Sequence, residues 1–115
     1  MFKFENLKVW QKSIILVDLA VGIIDKIPQK DQFSLGEQLR RAILSVPTNI
    51  AEATGRVSVK EARYFYNIAK GSIYEFVSLI IVVRRRKYCS EAEFKKILVD
   101  SEEIAKMLSG LIKKE

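Results

Sequence analysis

The chain has 115 residues, 49% of them hydrophobic and 30% charged, with a formal net charge of +6, no histidine and one cysteine, Cys89. That is enough chain for one domain with a single core, and the residue types exclude Cys/His zinc sites, intrachain disulfides and any histidine-based triad or acid–base pair. The N-terminus "MFKFENLKVWQ" lacks an apolar signal-peptide core and the longest unbroken apolar run is Leu79–Val83, so the expected setting is the cytoplasm, with no bilayer span, no metal and no cofactor.

Helix one is expected from Leu7 to Ile27, with Asn6 as its N-cap and Pro28 as its stop, followed by a loop "PQKDQ". Helix two is expected over residues 34–54, opened by a Ser34/Glu37 capping box and closed near Gly55, a residue suited to a left-handed C-cap. Its apolar stripe, Leu35, Leu39, Ala42, Ile43, Val46, Ile50 and Ala53, runs straight past Pro47. On a helical wheel Leu44, Pro47 and Ala51 form a second, smaller stripe away from the core. This places Pro47 outward, where it bends the helix or lines a subunit contact. The Ile43 carbonyl then lacks its usual donor, and Asn49 is a candidate to supply one.

Helix three is expected from Val59 to Lys87, capped by Ser58 and Glu61. Its run "FVSLIIVV", residues 76–83, has the β-branched content of a strand. However, Phe65, Ile68, Ser72, Phe76, Leu79 and Val83 keep helical spacing with no turn signal, so helix is the assignment. Helix four follows over Glu91–Lys113, with Ser90 and Glu93 as its capping box and charges that complement the helix dipole at both ends. Short connections make sequential helices antiparallel neighbours. The fold class is therefore all-α, an antiparallel up-down-up-down four-helix bundle.

Helix one ("IILVDLAVGII") and the middle of helix three are apolar nearly all round, more than one bundle core consumes. The surplus predicts a homo-oligomer. Gly22, Gly71 and Ser72 are expected to serve tight packing inside the bundle.

The positive charge is uneven. Residues 57–88 carry seven basic and two acidic groups, whereas 89–115 carry five and six. Arg56, Arg63, Lys70 and Arg84 share one heptad register, interrupted by Val77, and "RRRK", Arg84–Lys87, rings the end of helix three. Such a stripe can track phosphates, although basic residues at a helix C-terminus also complement its dipole. Arg40 and Arg41 are expected to pair with carboxylates such as Glu52 and Glu75; Tyr64, Tyr66, Tyr74 and Tyr88 are candidates for stacking on bases, with half-buried packing the expected role. Asp18 is the one carboxylate in an apolar setting. With no partner it does not make an active site.

The segments "LKVWQKS", "QLRRAILSVPTNIAEATGR" and "YNIAKGSIYE" resemble the four-helix-bundle proteins of the 23S rRNA intervening-sequence family. Order, spacing and residue identity agree over essentially the whole chain. The departures are Ala53, where the family usually has Gly, and Phe76, where Leu is common. The resemblance implies small up-down bundles, several of them ring-like homopentamers, with no catalytic activity. It also implies kinship with bundles that accompany reverse transcriptases and present a basic surface to nucleic acid.

The expected function is that of a non-enzymatic homo-oligomer binding nucleic acid, RNA favoured. Arg63, Lys70, Arg84, Arg85, Arg86 and Lys87 would neutralise phosphates. The alternative is an oligomeric adaptor for a reverse transcriptase or ribosome-associated partner, using the Leu44–Pro47–Ala51 stripe.

Overall fold

Val9, Ser13, Leu16, Ala20, Ile23 and Ile24 recur at spacings of three and four and form the buried stripe of α1, Lys8–Ile24. The computed structural model describes residues 1–114 and builds three further helices on the same principle: α2 (Glu37–Thr54), α3 (Val59–Arg85) and α4 (Glu91–Lys113). Each helix packs on the next and α4 returns to α1. The most extensive contact is between α2 and α3. The result is a four-helix bundle of 44 × 24 × 24 Å, with no strand among the described residues. The "FVSLIIVV" run is helical because Phe76, Ile80 and Val83, on one face of α3, are all fully buried. By length and composition α3 is apolar enough to cross a bilayer, but here its apolar face is the bundle core.

The starts of α3 and α4 follow the expected chemistry. Ser58 Oγ accepts from the Glu61 amide at 3.1 Å, and Ser90 and Glu93 form a complete reciprocal box. Other expectations fail for local reasons. Asn6 does not cap α1; it ends a short 3-10 turn, Lys3–Asn6, and Leu7 takes the cap position without a side-chain bond.

The expected loop before α2 is already helical from Gln29, passing through a wide π-type turn over Gln32–Gly36. Ser34 therefore cannot cap, and its hydroxyl donates to the Asp31 carbonyl instead. The turn has a purpose legible in its bonds. Gln32 Nε2 donates to the carbonyls of Ile24 and Ile27 at 2.7 and 2.8 Å, closing the open end of α1. Gly36 makes room for it, since a Cβ there would lie 2.8 Å from Gln32 Oε1.

Gly55 ends α2 with right-handed backbone (φ −87°), and the left-handed position falls to Lys87, φ 64°, just beyond α3. Pro47 is buried rather than outward, because the N-terminal turn folds over that side of α2 and brings Phe4 against Trp10 at 4.9 Å between ring centroids. Asn49 does not serve Ile43. It donates to the Ser45 carbonyl and hydroxyl at 2.8 and 2.9 Å, and Ser45 Oγ lies 2.8 Å from Ser72 Oγ. Thr48 donates to the Leu44 carbonyl, so two carbonyls beside the proline gain side-chain donors.

The glycines also depart from expectation. Gly22, Gly71 and Gly110 are exposed within helices, and a Cβ at any of them would meet nothing within 4 Å. None is needed for packing inside the bundle.

Candidate nucleic-acid interface

The heptad stripe of α3 proves to be its flank against α4. Arg63, Lys70, Val77 and Arg84 are all half-buried. At one end Arg63 Nη2 donates to the Lys114 carbonyl just beyond α4 (3.3 Å), and at the other Arg84 Nη1 donates to the Cys89 carbonyl just before it (3.3 Å). Both arginines thus tie the ends of α4 to α3, a structural duty that composition does not reveal. Arg56 drops out of the stripe: it pairs with Glu52 and its guanidinium lies 4.4 Å from the centroid of the Phe65 ring.

Between those ties Lys70 meets two cations outside the expected phosphate-binding set. Lys70 and Tyr74 from α3 face Lys106 and Lys113 from α4 across a groove of about 430 Å³, with Glu102 the one carboxylate on its wall. Lys70 Nζ is 5.9 Å from the Tyr74 ring centroid, and Tyr74 is 64% exposed. Lys106 and Lys113 stand seven residues apart, the same interval as Arg63 and Lys70, so a heptad reading of α4 would have found them.

Arg84–Lys87 lie elsewhere. At about 1.5 Å per residue, Arg84 is roughly 30 Å along α3 from Arg63. Arg86 Nη1 is 3.9 Å from Asp31 Oδ2, whereas Arg85 and Lys87 are exposed and without an ion pair among the described residues. Nearby carboxylates are committed: Asp25 to Arg40 (3.5 Å), Asp31 to the Tyr88 hydroxyl (2.5 Å), Glu91 to Lys95 (3.5 Å) and Glu93 to Lys26 (2.5 Å). Donation from Lys26, aided by the Ser90 amide, holds the Glu93 carboxyl below its usual range, and the bond to Asp31 pushes the Tyr88 phenol up. The six predicted cations are therefore split: Lys70 lines the α3–α4 groove, Arg63 is tied to the end of α4, and Arg84–Lys87 lie at the far end of α3.

Leu44, Pro47 and Ala51 sit on the opposite side of the bundle. With Phe4, Trp10 and Ile14 they line an apolar groove of about 730 Å³ between α1 and α2. Leu44 is 52% exposed on its rim. Arg41 is exposed and unpaired among the described residues, and so is Asp18. Burial pushes the Cys89 thiol up, which leaves it a poor nucleophile. No cluster of three or more potential metal ligands occurs among the described residues.

Fold and surface thus define a small antiparallel helical bundle carrying a cationic groove on one side and an apolar groove on the other. Over residues 5–110 the chain matches the 23S rRNA-intervening sequence protein family, and it belongs to that family. It is also similar to a crystal structure of a protein of unknown function from the S23 ribosomal protein family of Bacteroides thetaiotaomicron. The two share 26% sequence identity with a TM-score of 0.84, over 92% of this chain and 99% of that one. No curated protein matches the chain.

Proposed function

We propose that this protein is a non-enzymatic, cytoplasmic, self-associating bundle that binds RNA through its phosphates. The observation that carries the reading is the convergence of Lys70, Lys106 and Lys113, from two helices, on one groove. Arg85 and Lys87 extend the footprint at the far end of α3, where the neighbouring carboxylates are already paired. Arg63, Arg84 and Arg86 contribute field while holding the structure together. Because the contacts are to phosphate, affinity for a structured RNA is expected to fall steeply as salt rises. A titration series across salt concentrations tests this; a flat response, or no binding at low salt, removes the reading.

Self-association is supported by the exposed glycines outside the lysine groove, Gly22 and Gly71. Each costs about 0.5–1 kcal/mol relative to alanine in a helix interior, and nothing inside the bundle requires it. Ile15 and Val21 on α1, Ile81 on α3 and Val99 on α4 are also exposed. Close approach between subunits, five in the ring that family resemblance implies, accounts for both. Gly71→Ala is expected to stabilise the isolated subunit by up to about 1 kcal/mol and to reduce the assembled mass seen by light scattering. An unchanged mass would clear Gly71 of any interface role.

A second reading has its own support. The Phe4–Trp10–Pro47 groove is mostly apolar, open and away from the α3–α4 lysines, with Arg56 paired to Glu52 at one end, as suits an adaptor that docks a protein partner such as a reverse transcriptase or a ribosome-associated factor. In that reading Leu44 and Ala51 on its rim carry the contact.

A further inference from the structure

Three serines are buried in the bundle, and two of them are satisfied. Ser13 Oγ donates to the Trp10 carbonyl at 2.7 Å, and Ser72 Oγ pairs with Ser45 Oγ at 2.8 Å. Ser101 is 1% exposed and its Oγ has no partner among the described residues. A buried hydroxyl left unpaired is a standing penalty to the fold, and alanine would avoid it.

Ser101 lies in the wall of a chamber of about 330 Å³ between α3 and α4, whose other walls are Ile73, Val77, Leu98 and Ala105. Tyr74 and Glu102 stand at its mouth. These two residues and Ala105 also line the lysine groove, so the apolar chamber opens directly beside Lys70, Lys106 and Lys113.

We propose that this chamber receives one unstacked nucleobase from an unpaired RNA segment whose phosphates lie along the three lysines. The proposal rests on the RNA-binding reading above and names the form of RNA. Its volume is at the lower end of small-molecule sites, and its apolar walls suit the faces of a base. Tyr74 offers an exposed ring for stacking. Ser101 Oγ is closed off from the empty chamber, and rotation about χ1 turns it toward the base edge, where it gains the partner it lacks. Glu102 repels phosphate from the mouth and accepts from an exocyclic amine, which favours adenine, cytosine or guanine over uracil. A duplex keeps its bases stacked and offers only its backbone to the groove.

The test is fluorescence anisotropy of the full chain with a labelled twelve-nucleotide unstructured strand rich in adenine, alone or annealed to its complement, at one fixed salt concentration. The single strand is expected to bind more tightly than the duplex. Tyr74→Ala should weaken single-strand binding about tenfold and leave duplex binding within about twofold, while Tyr74→Phe restores it. Ser101→Ala should weaken the single strand severalfold with an equal or higher melting temperature, since it removes an unpaired hydroxyl. A uracil-only strand should bind less tightly than the adenine-rich one. If strand and duplex bind alike and neither Tyr74→Ala nor Ser101→Ala separates them, the base chamber is wrong and the phosphate groove stands. If neither form binds at low salt, both proposals fall together.

Discussion

Phe76→Ala is expected to lower the unfolding free energy by about 3–5 kcal/mol and the melting temperature by roughly 15 °C. Phe76 is the largest of the fully buried side chains and sits about two-thirds of the way along the 27-residue α3. Replacing its ring with a methyl group removes transfer free energy and leaves a cavity that rigid neighbours fill only in part. Helix propensity does not oppose the change, because alanine is the better helix former. The loss is therefore one of packing, read by urea unfolding at matched subunit concentration. Phe76→Leu, the residue common at this position in the family resemblance, should recover most of it. A loss below about 1 kcal/mol for Phe76→Ala would mean that the core collapses around the gap.

That result also bears on what the sequence made legible. The fold was readable because each helix carries one strong periodic stripe and because Ser58 and Ser90 each precede a glutamate by three residues. Leu79–Val83 reads correctly because spacing over the whole of α3 outweighs local β-branched preference. Where the reading failed, a distant segment had intervened. Ser34 fits the cap pattern, but Gln32 is drawn back to close α1, and the chain is already in helical turns five residues earlier, from Gln29. Pro47 looks outward on a wheel of α2 alone; the aromatic N-terminal turn that buries it lies some forty residues away in sequence.

The site was half legible for the same reason. Charge counting found Arg63 and Lys70, and the heptad interval placed them on one flank. It could not show that α4 lies against that flank. Nor could it show that the arginines of the stripe are taken up by the carbonyls of Lys114 and Cys89. The consecutive run Arg84–Lys87 drew attention as a sequence feature, yet helical geometry disperses it and two of its four members have internal partners. Of the lysines that remain available, Lys106 and Lys113 share a heptad interval on α4, but that Lys70 of α3 faces them is a tertiary fact. Of the glycines, the sequence shows only that they interrupt helices; that nothing faces them within the subunit is a tertiary fact.

If the groove is the phosphate path, Lys70→Ala with Lys106→Ala should weaken RNA binding on the order of tenfold or more at moderate salt. The slope of log affinity against log salt should fall by about two, one for each phosphate contact removed. The loss is expected to be uniform across RNA sequences, since these contacts position the backbone without reading bases. Lys106 is exposed and Lys70 half-buried beside the groove, neither belongs to the core, and alanine preserves helicity, so the variant should melt close to the parent. Arg85→Ala with Lys87→Asn supplies the comparison, asparagine being chosen because it tolerates the positive φ at that position. Were this second pair to reduce the slope while the first left it intact, the far end of α3 would be the footprint and the groove a bystander. A smaller slope change from the second pair would rank the two clusters and make the α3–α4 groove the principal track. Equal, additive losses would require a path at least 20 Å long by the helical rise between Lys70 and Arg85, about 1.5 Å per residue. One strand laid along a single subunit, or strands bridging neighbouring subunits, would then both satisfy the charge, and the length of the shortest RNA that binds fully would decide between them.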